Sequence, residues 1–399
     1  MSGYNLIIYG YGDLLYSKSA GGNRIAKYAK ALAEVGCKIY ICSYSIEGSI
    51  YDEFYENCWY VSFEYKKKKN IYNFIKNIYG FSKSLEGKTV LLLYPLNKIL
   101  MEWMSLLYLK YYKKKRLFIE VNEVRIYYKD WSVFRMIPLK DYPIIFIKFL
   151  YSKIAYYVTD YIYPYFDGMI FISKNIEYYY KSKQRNANGL RIPILCESVI
   201  PQKSSLAYEK HSSFYIGFSG QIRIKKENLD LLLNALHRLC VDGYKVVLNL
   251  YGPMIDKMEL DKLTSQYDLI NQVIYNGDLC YEKLKKEIKI NNLMVLVRGN
   301  TKQNYYGFST KLSDYLSSGI PLLVTSVSDI PLFIEDSENG FIIEPDNADL
   351  IYLKIKYIID NYNNLSNIVV KNAFKLVESD FLYSKYGEKI KQFLFGFHK

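Results

Sequence analysis

The chain has 399 residues, half of them hydrophobic and 23% charged, with a formal net charge of +13. That composition excludes a disordered chain, and the length exceeds what one hydrophobic core usually supports, so two domains are expected. Only three histidines, and six scattered cysteines without a Cys-x-x-Cys pair, argue against a His-based metal site or a disulfide framework and point to core thiols in a reducing, cytoplasmic setting.

Leu6–Tyr9 reads as a short apolar strand, too short for the hydrophobic region of a signal peptide. Gly10–Gly22 is a loop with four glycines. Asn23–Val35 has helical spacing, with Ile25, Ala29, Leu32 and Ala33 on one face and Gly36 at the stop. Lys38–Ser43 is the next strand, which completes a βαβ unit and implies a parallel sheet. Further strands are expected at Thr89–Leu93, Leu117–Val121 and Gly168–Ile172. Charge is one-sided: residues 1–190 hold 28 Lys/Arg against 16 Asp/Glu, whereas residues 191–399 hold 25 against 24. The excess includes two runs, Lys66–Lys69 and Lys113–Arg116. A basic half suits an anionic partner, either nucleic acid or anionic lipid. The apolar, aromatic stretch Pro143–Ile172 is interrupted by Lys148, Lys153, Asp160 and Asp167, so it does not span a membrane. It either lies on a membrane surface or packs as core helices.

Arg191–Ser205, with Pro193 and Pro201, is the expected linker, and the α/β pattern then restarts. Strands are expected at Phe214–Phe218, Val246–Tyr251, Val273–Tyr275, Leu293–Val297 and Pro321–Val324. Helices are expected at Asn228–Leu239, Tyr281–Ile290 and Thr310–Ser317, the last closed by Gly319. The alternation argues for a second parallel sheet covered on both faces.

Ligands of open α/β sheets sit outside the carboxyl ends of the strands. Four loops there carry suitable residues. In Gly10–Gly22 the pair Gly21-Gly22 precedes a helix start, where a phosphate can approach backbone. The dinucleotide fingerprint fails, because Leu15 stands where the third glycine belongs, which argues against a nicotinamide-dependent oxidoreductase. In Gly220–Lys226, Lys225 and Lys226 stand before a helix start, an unfavourable place for cations unless an anion is bound between. Arg298 ends an apolar strand in a polar loop, as a phosphate clamp does. Ser309-Thr310-Lys311 opens a helix whose Asp314, one turn on, can accept from a ribose diol.

The segment Gly307-Phe308-Ser309-Thr310-Lys311-Leu312-Ser313-Asp314-Tyr315-Leu316-Ser317-Ser318-Gly319-Ile320-Pro321 resembles the donor-binding signature of retaining GT-B glycosyltransferases of family 4. Phe218–Lys226 resembles the motif that opens that family's second domain, and Tyr251-Gly252-Pro253 and Asn276-Gly277-Asp278 fall at its nucleotide-contacting turns. The resemblance implies two Rossmann-like α/β domains facing across a cleft: an acceptor-side domain over residues 1–200 and a nucleotide-sugar domain over 206–377. Residues 378–399 would form a helix, about Phe381–Phe395, crossing back to the first domain. It implies that Lys226 acts on the donor diphosphate, with Arg298 and Lys311 nearby, that Gly307, Phe308, Ser309 and Thr310 line the donor site, and that Asp314 stands at the ribose-binding acid. Gly22 would approach the diphosphate, and Glu123, after the strand Leu117–Val121 and close to Glu120, would contact the acceptor or act in catalysis. The family's Glu-x7-Glu pair reads Tyr306 and Asp314 here, and Gln221 replaces a basic residue.

The implied activity is metal-independent transfer of a sugar, with retention, from a nucleotide-sugar to a saccharide or lipid-linked acceptor, as in bacterial surface polysaccharide synthesis. The nucleotide-sugar is a substrate, and no cofactor is expected. The basic first half would rest on anionic lipid at the inner face of the plasma membrane, and no nucleic acid is expected. The alternatives are a GT-B-like protein that binds nucleotide-sugar without catalysis, and a basic nucleic-acid-binding protein.

Overall fold

The computed structural model describes residues 3–10, 20–45, 51–64, 70–95, 99–127, 142–184, 187–199, 206–209 and 212–396. The Lys66–Lys69 run, Gly12, Leu15 and Pro201 lie outside them. The chain divides into two compact units, Met1–Pro193 with Tyr383–Lys399, and Ile194–Leu382.

The first unit is built on a sheet of strands β1 (Tyr4–Tyr9), β2 (Cys37–Ser45), β3 (Tyr51–Tyr55), β4 (Cys58–Glu64), β5 (Lys88–Leu93), β6 (Leu117–Val121), β7 (Gly168–Phe171) and β8 (Gly189–Arg191). Their order is β3-β4-β2-β1-β5-β6-β7-β8. All neighbours are parallel except β3 and β4. The central strands are continuous apolar runs, as strands covered on both faces must be. β3 and β4 were not legible: they form a hairpin whose turn places Asn57 in the left-handed region (φ 61°), a conformation asparagine tolerates. The first helix begins at Ala20, so Gly21 and Gly22 lie in its first turn rather than before it.

The stretch Pro143–Ile172 resolves into a helix over Tyr142–Ile162 and strand β7. Phe149, Ala155, Tyr156, Thr159 and Asp160 face inward. Ile147, Leu150, Tyr151, Ile154, Tyr157 and Tyr161 face outward and are exposed. This is not a helix packed as ordinary core. No helix among the described residues is long and apolar enough to cross a membrane.

The second unit holds strands β9 (Phe214–Ser219), β10 (Val246–Tyr251), β11 (Val273–Tyr275), β12 (Leu293–Leu296), β13 (Leu322–Thr325) and β14 (Phe341–Ile343). Their order is β11-β10-β9-β12-β13-β14, and all are parallel. Helix Leu229–Val241 packs on the long helix Ala348–Leu376, whose buried Ile351, Ile355, Ile358, Tyr362, Val369 and Ala373 recur at helical spacing. Asn347 caps that helix by accepting from the amides of Asp349 and Leu350.

The expected single helix over Phe381–Phe395 is broken. Cys196 N–H donates to the Phe381 carbonyl (2.8 Å) and Cys196 bridges Leu382, which holds Leu382 extended. A 3-10 turn, Tyr383–Tyr386, and a helix, Gly387–Phe395, follow and pack within the first unit. The Cα of Gly387 lies so close to the first helix that an added Cβ would stand 2.2 Å from the Ala31 carbonyl oxygen. Of the six cysteines, Cys37, Cys42, Cys58 and Cys196 are buried thiols, Cys240 is half-buried, and Cys280 is exposed, so the core reading fails at Cys280.

Candidate functional site

In the second sheet the strand order reverses between β9 and β12, the kind of switch point outside whose carboxyl ends ligands of such sheets bind. β9 is followed by Gly220, whose φ of +133° lies in the glycine region. A Cβ there would meet Lys311 Cε at 2.3 Å and Nζ at 2.8 Å. The Lys311 stem therefore crosses the bare backbone of Gly220, and its ammonium lies 4.4 Å from the centroid of the Phe218 ring. The neighbouring turns fit against this one: an added Cβ on Gly252, after β10, would touch the Gly220 carbonyl, and Gly252 N–H donates to Gly277.

Helix Lys311–Leu316 is fixed to β9 by a buried hydroxyl. Tyr315 Oη donates to the Ser219 carbonyl (3.0 Å) and accepts from Ser219 N–H (2.8 Å). The loop before it is held by Phe308, stacked on Phe333 with ring centroids 5.7 Å apart. Ser309 is buried in that loop, and its Oγ finds no partner. Gly307 ends the short helix Lys302–Tyr306, which Thr301 caps.

Three of the expected cations meet here, around an acid that sequence reasoning missed. Arg298 grips Glu227 with two bonds, Nε to Oε2 at 3.0 Å and a terminal nitrogen to Oε1 at 2.9 Å. Lys311 Nζ lies 3.1 Å from the same Oε1. Burial alone would push the Glu227 carboxyl up, but Arg298 and then Lys311 outweigh it and hold it down at about 2. Lys311 is pulled down to about 7, first by burial and then by Arg298 and Lys226, against the opposing pull of Glu227. Lys226 is exposed beside this cluster, whereas Lys225 turns away to pair with Asp230 at 2.5 Å. Glu227 beside two lysines reads as a surface acid, and the helix expected from Asn228 begins instead at Leu229, with Asn228 left-handed before it.

Asp314 is half-buried one turn beyond Lys311, which pairs with Glu227 instead. The negative charge of Asp314 bears on the phenol of Tyr281, at the start of the helix after β11.

In the first unit, Gly21, next to Gly22, and Asn122, next to Glu123, both meet Tyr94. A Cβ on Gly21 would stand 2.6 Å from Tyr94 Oη, which accepts from Asn122 Nδ2 at 2.9 Å. Burial, and next the charge of Glu120, raises the Tyr94 phenol, with a smaller push from Glu123. Glu120 is a different case from Glu123. It is fully buried against Arg24 (2.7 Å) and Tyr28 (3.1 Å), so it is sealed from solvent.

Residues 203–376 match the family model described as glycosyl transferases group 1. No curated protein matches the chain by sequence. Among solved structures, sucrose-phosphate synthase from Thermosynechococcus elongatus aligns over 98% of both chains with a TM-score of 0.70 and 14% identity. A glycosyltransferase from Rickettsia africae aligns over 99% of this chain and 100% of its own, with a TM-score of 0.66 and 14% identity. Anabaena HepE in complex with UDP aligns over 97% of this chain and 98% of its own, with a TM-score of 0.67 and 11% identity. The chain takes the GT-B fold of these proteins, and its residues 203–376 match the model of the glycosyl transferases group 1.

Proposed function

We propose that this chain transfers a sugar from a nucleotide-sugar to a saccharide or lipid-linked acceptor, with retention, in the synthesis of a bacterial surface polysaccharide. The observation that carries the reading is the set of cations gathered at the β9/β12 switch point: Arg298 and Lys311 on one buried acid, with Lys226 exposed beside them. HepE, of similar fold, has been solved with UDP and with UDP-glucose, which supports a nucleotide-sugar donor here. In the reaction the bond between the anomeric carbon and the diphosphate oxygen breaks, and the diphosphate leaves with the electron pair. The acceptor oxygen attacks from the same face, and its proton passes to the leaving diphosphate. The chemistry needs positive charge on the leaving group more than a strong base. Lys226, Arg298 and Lys311 supply that charge in our reading, without a metal or cofactor. Gly307, Phe308, Ser309 and Thr310 line the donor site, Asp314 takes the ribose diol, and Glu123 in the first unit serves the acceptor, with Gly22 near the diphosphate. Incubation with a panel of nucleotide-sugars should release one nucleoside diphosphate at a rate unaffected by EDTA; release from none of them, with or without acceptor extracts, would contradict the reading.

Tyr306, where the family carries an acid near the transferred sugar, favours one second reading: a protein that binds nucleotide-sugar without turning it over. Saturable binding without donor hydrolysis would select it.

The exposed apolar face of helix Tyr142–Ile162 supports a peripheral site on the inner face of the plasma membrane. Tyrosines and aliphatics on one face, in the half of the chain that carries nearly all the excess positive charge, suit the interface of an anionic bilayer.

A further inference from the structure

We propose that Glu227 is a positioning residue of the donor site: its buried carboxylate fixes the Arg298 fork and keeps Lys311 in its ammonium form, so that an arriving diphosphate meets two oriented cations. The inference rests on reading the β9/β12 switch point as that site.

Burial separates the roles. The Glu227 side chain is 3% exposed, against 18% for Arg298 and 16% for Lys311, so the acid lies behind and the cations in front. Displacing Glu227 by a ligand would leave a buried charge unpaired, which is strongly unfavourable. Both its oxygens are engaged by the two cations. The pair with Arg298 uses Nε and one terminal nitrogen, and the second terminal nitrogen takes no part in it.

The surrounding turn is built to hold the acid in place. Asn228, the next residue, is left-handed (φ 50°), and its Nδ2 donates to Asp346 Oδ1 at 2.8 Å. The other Asp346 oxygen accepts from Asn300 N–H at 2.9 Å, which ties the Glu227 turn to the loop after β12. The Arg298 carbonyl accepts from Thr325 Oγ1 at 2.7 Å. Both ends of the ion pair are thus anchored to backbone.

Lys311 has little choice of environment. Its stem is pressed on Gly220 and its ammonium on the Phe218 ring. The charged groups facing it are Glu227 and Lys226 from the turn after β9 and Arg298 from the end of β12, while Asp314 on its own helix bears on Tyr281. Remove the charge of Glu227 and two cations remain, so burial and repulsion together drive Lys311 towards the neutral amine. A neutral amine cannot stabilise a diphosphate as an ammonium does.

The test is Glu227→Gln, which keeps the shape and removes the charge, in the full-length protein. Lysine-labelled NMR, with the Lys311 signal identified by its loss in Lys311→Arg, should show Lys311 titrating at least about one pH unit lower in the variant. Calorimetry with UDP, ADP and GDP across pH 5.5–8.5 should show wild-type affinity falling as pH rises through the Lys311 titration. In Glu227→Gln the same fall should come at lower pH, giving about a fivefold loss at neutral pH for a one-unit shift, which acid recovers. Lys311→Arg should flatten the profile, because arginine stays charged. An unchanged Lys311 titration, an unchanged profile, or a loss equal at every pH would each overturn the inference while leaving the donor site standing. Failure of the wild type to bind any of the three at any pH would overturn the donor-site reading, and the inference with it.

Discussion

Gly220 shows why a single residue type is required at the switch point. A side chain there would have to occupy the space of the Lys311 stem, in a backbone region that residues with a Cβ rarely adopt. The cation above it and the glycine below are one device. The same locality makes Lys226 testable, because it is exposed beside the cluster. Lys226→Ala should lower turnover by about two powers of ten or more, as loss of one transition-state donor does. Near-normal turnover would remove Lys226 from the mechanism. Arg298, Lys311 and Lys226 were legible because a cation in a polar loop at the end of an apolar strand is conspicuous. Glu227 was not, because an acid beside two lysines is ordinary surface chemistry until Arg298, 71 residues away, folds onto it.

Elements carry these residues, and two of them make separate predictions. Helix Lys311–Leu316 has only six residues and does not stand by its own propensity; Tyr315 docks it on β9. Tyr315→Phe leaves the Ser219 amide and carbonyl without this partner in a half-buried place and should cost about 1–3 kcal/mol in urea unfolding. A loss under about 0.5 kcal/mol would mean that the loop, not the hydroxyl, holds the helix. Helix Tyr142–Ile162 has a buried face and an outward apolar stripe. Ile147→Glu with Tyr151→Glu should leave the fold intact and abolish flotation with vesicles rich in anionic lipid, since each charge opposes insertion and repels the surface. Unchanged flotation would direct attention to the basic runs instead. The strands of both parallel sheets were mostly legible from their apolar runs. The β3–β4 hairpin was not, because its first strand is polar and exposed and finds its register only by pairing with β4. The break at Leu382 was equally hidden, because it depends on Cys196, far away in sequence.

At the scale of the whole molecule, the charge set at the switch point links stability to acid. The Glu227 carboxyl is held down at about 2 when folded, against 4.5 as its ordinary value, so its contribution is present above about pH 4.5 and lost as pH falls through about 2. The stability gap between wild type and Glu227→Gln should therefore shrink by about 3 kcal/mol across that acid window. A gap independent of pH would mean that the carboxylate is not stabilised by its two partners. The chain divides into two units, and residues 383–399, expected to return to the first domain, belong to the first unit through packing such as that of Gly387 against Ala31. The central claim, a donor site at the β9/β12 switch point, is tested most directly by equilibrium binding. A panel of nucleoside diphosphates and nucleotide-sugars should be titrated into the wild type and into Asp314→Ala. The account predicts saturable binding of one nucleotide, weakened at least about tenfold when the ribose acceptor is removed. Binding of none, with tight salt-sensitive binding of nucleic acid instead, would contradict it.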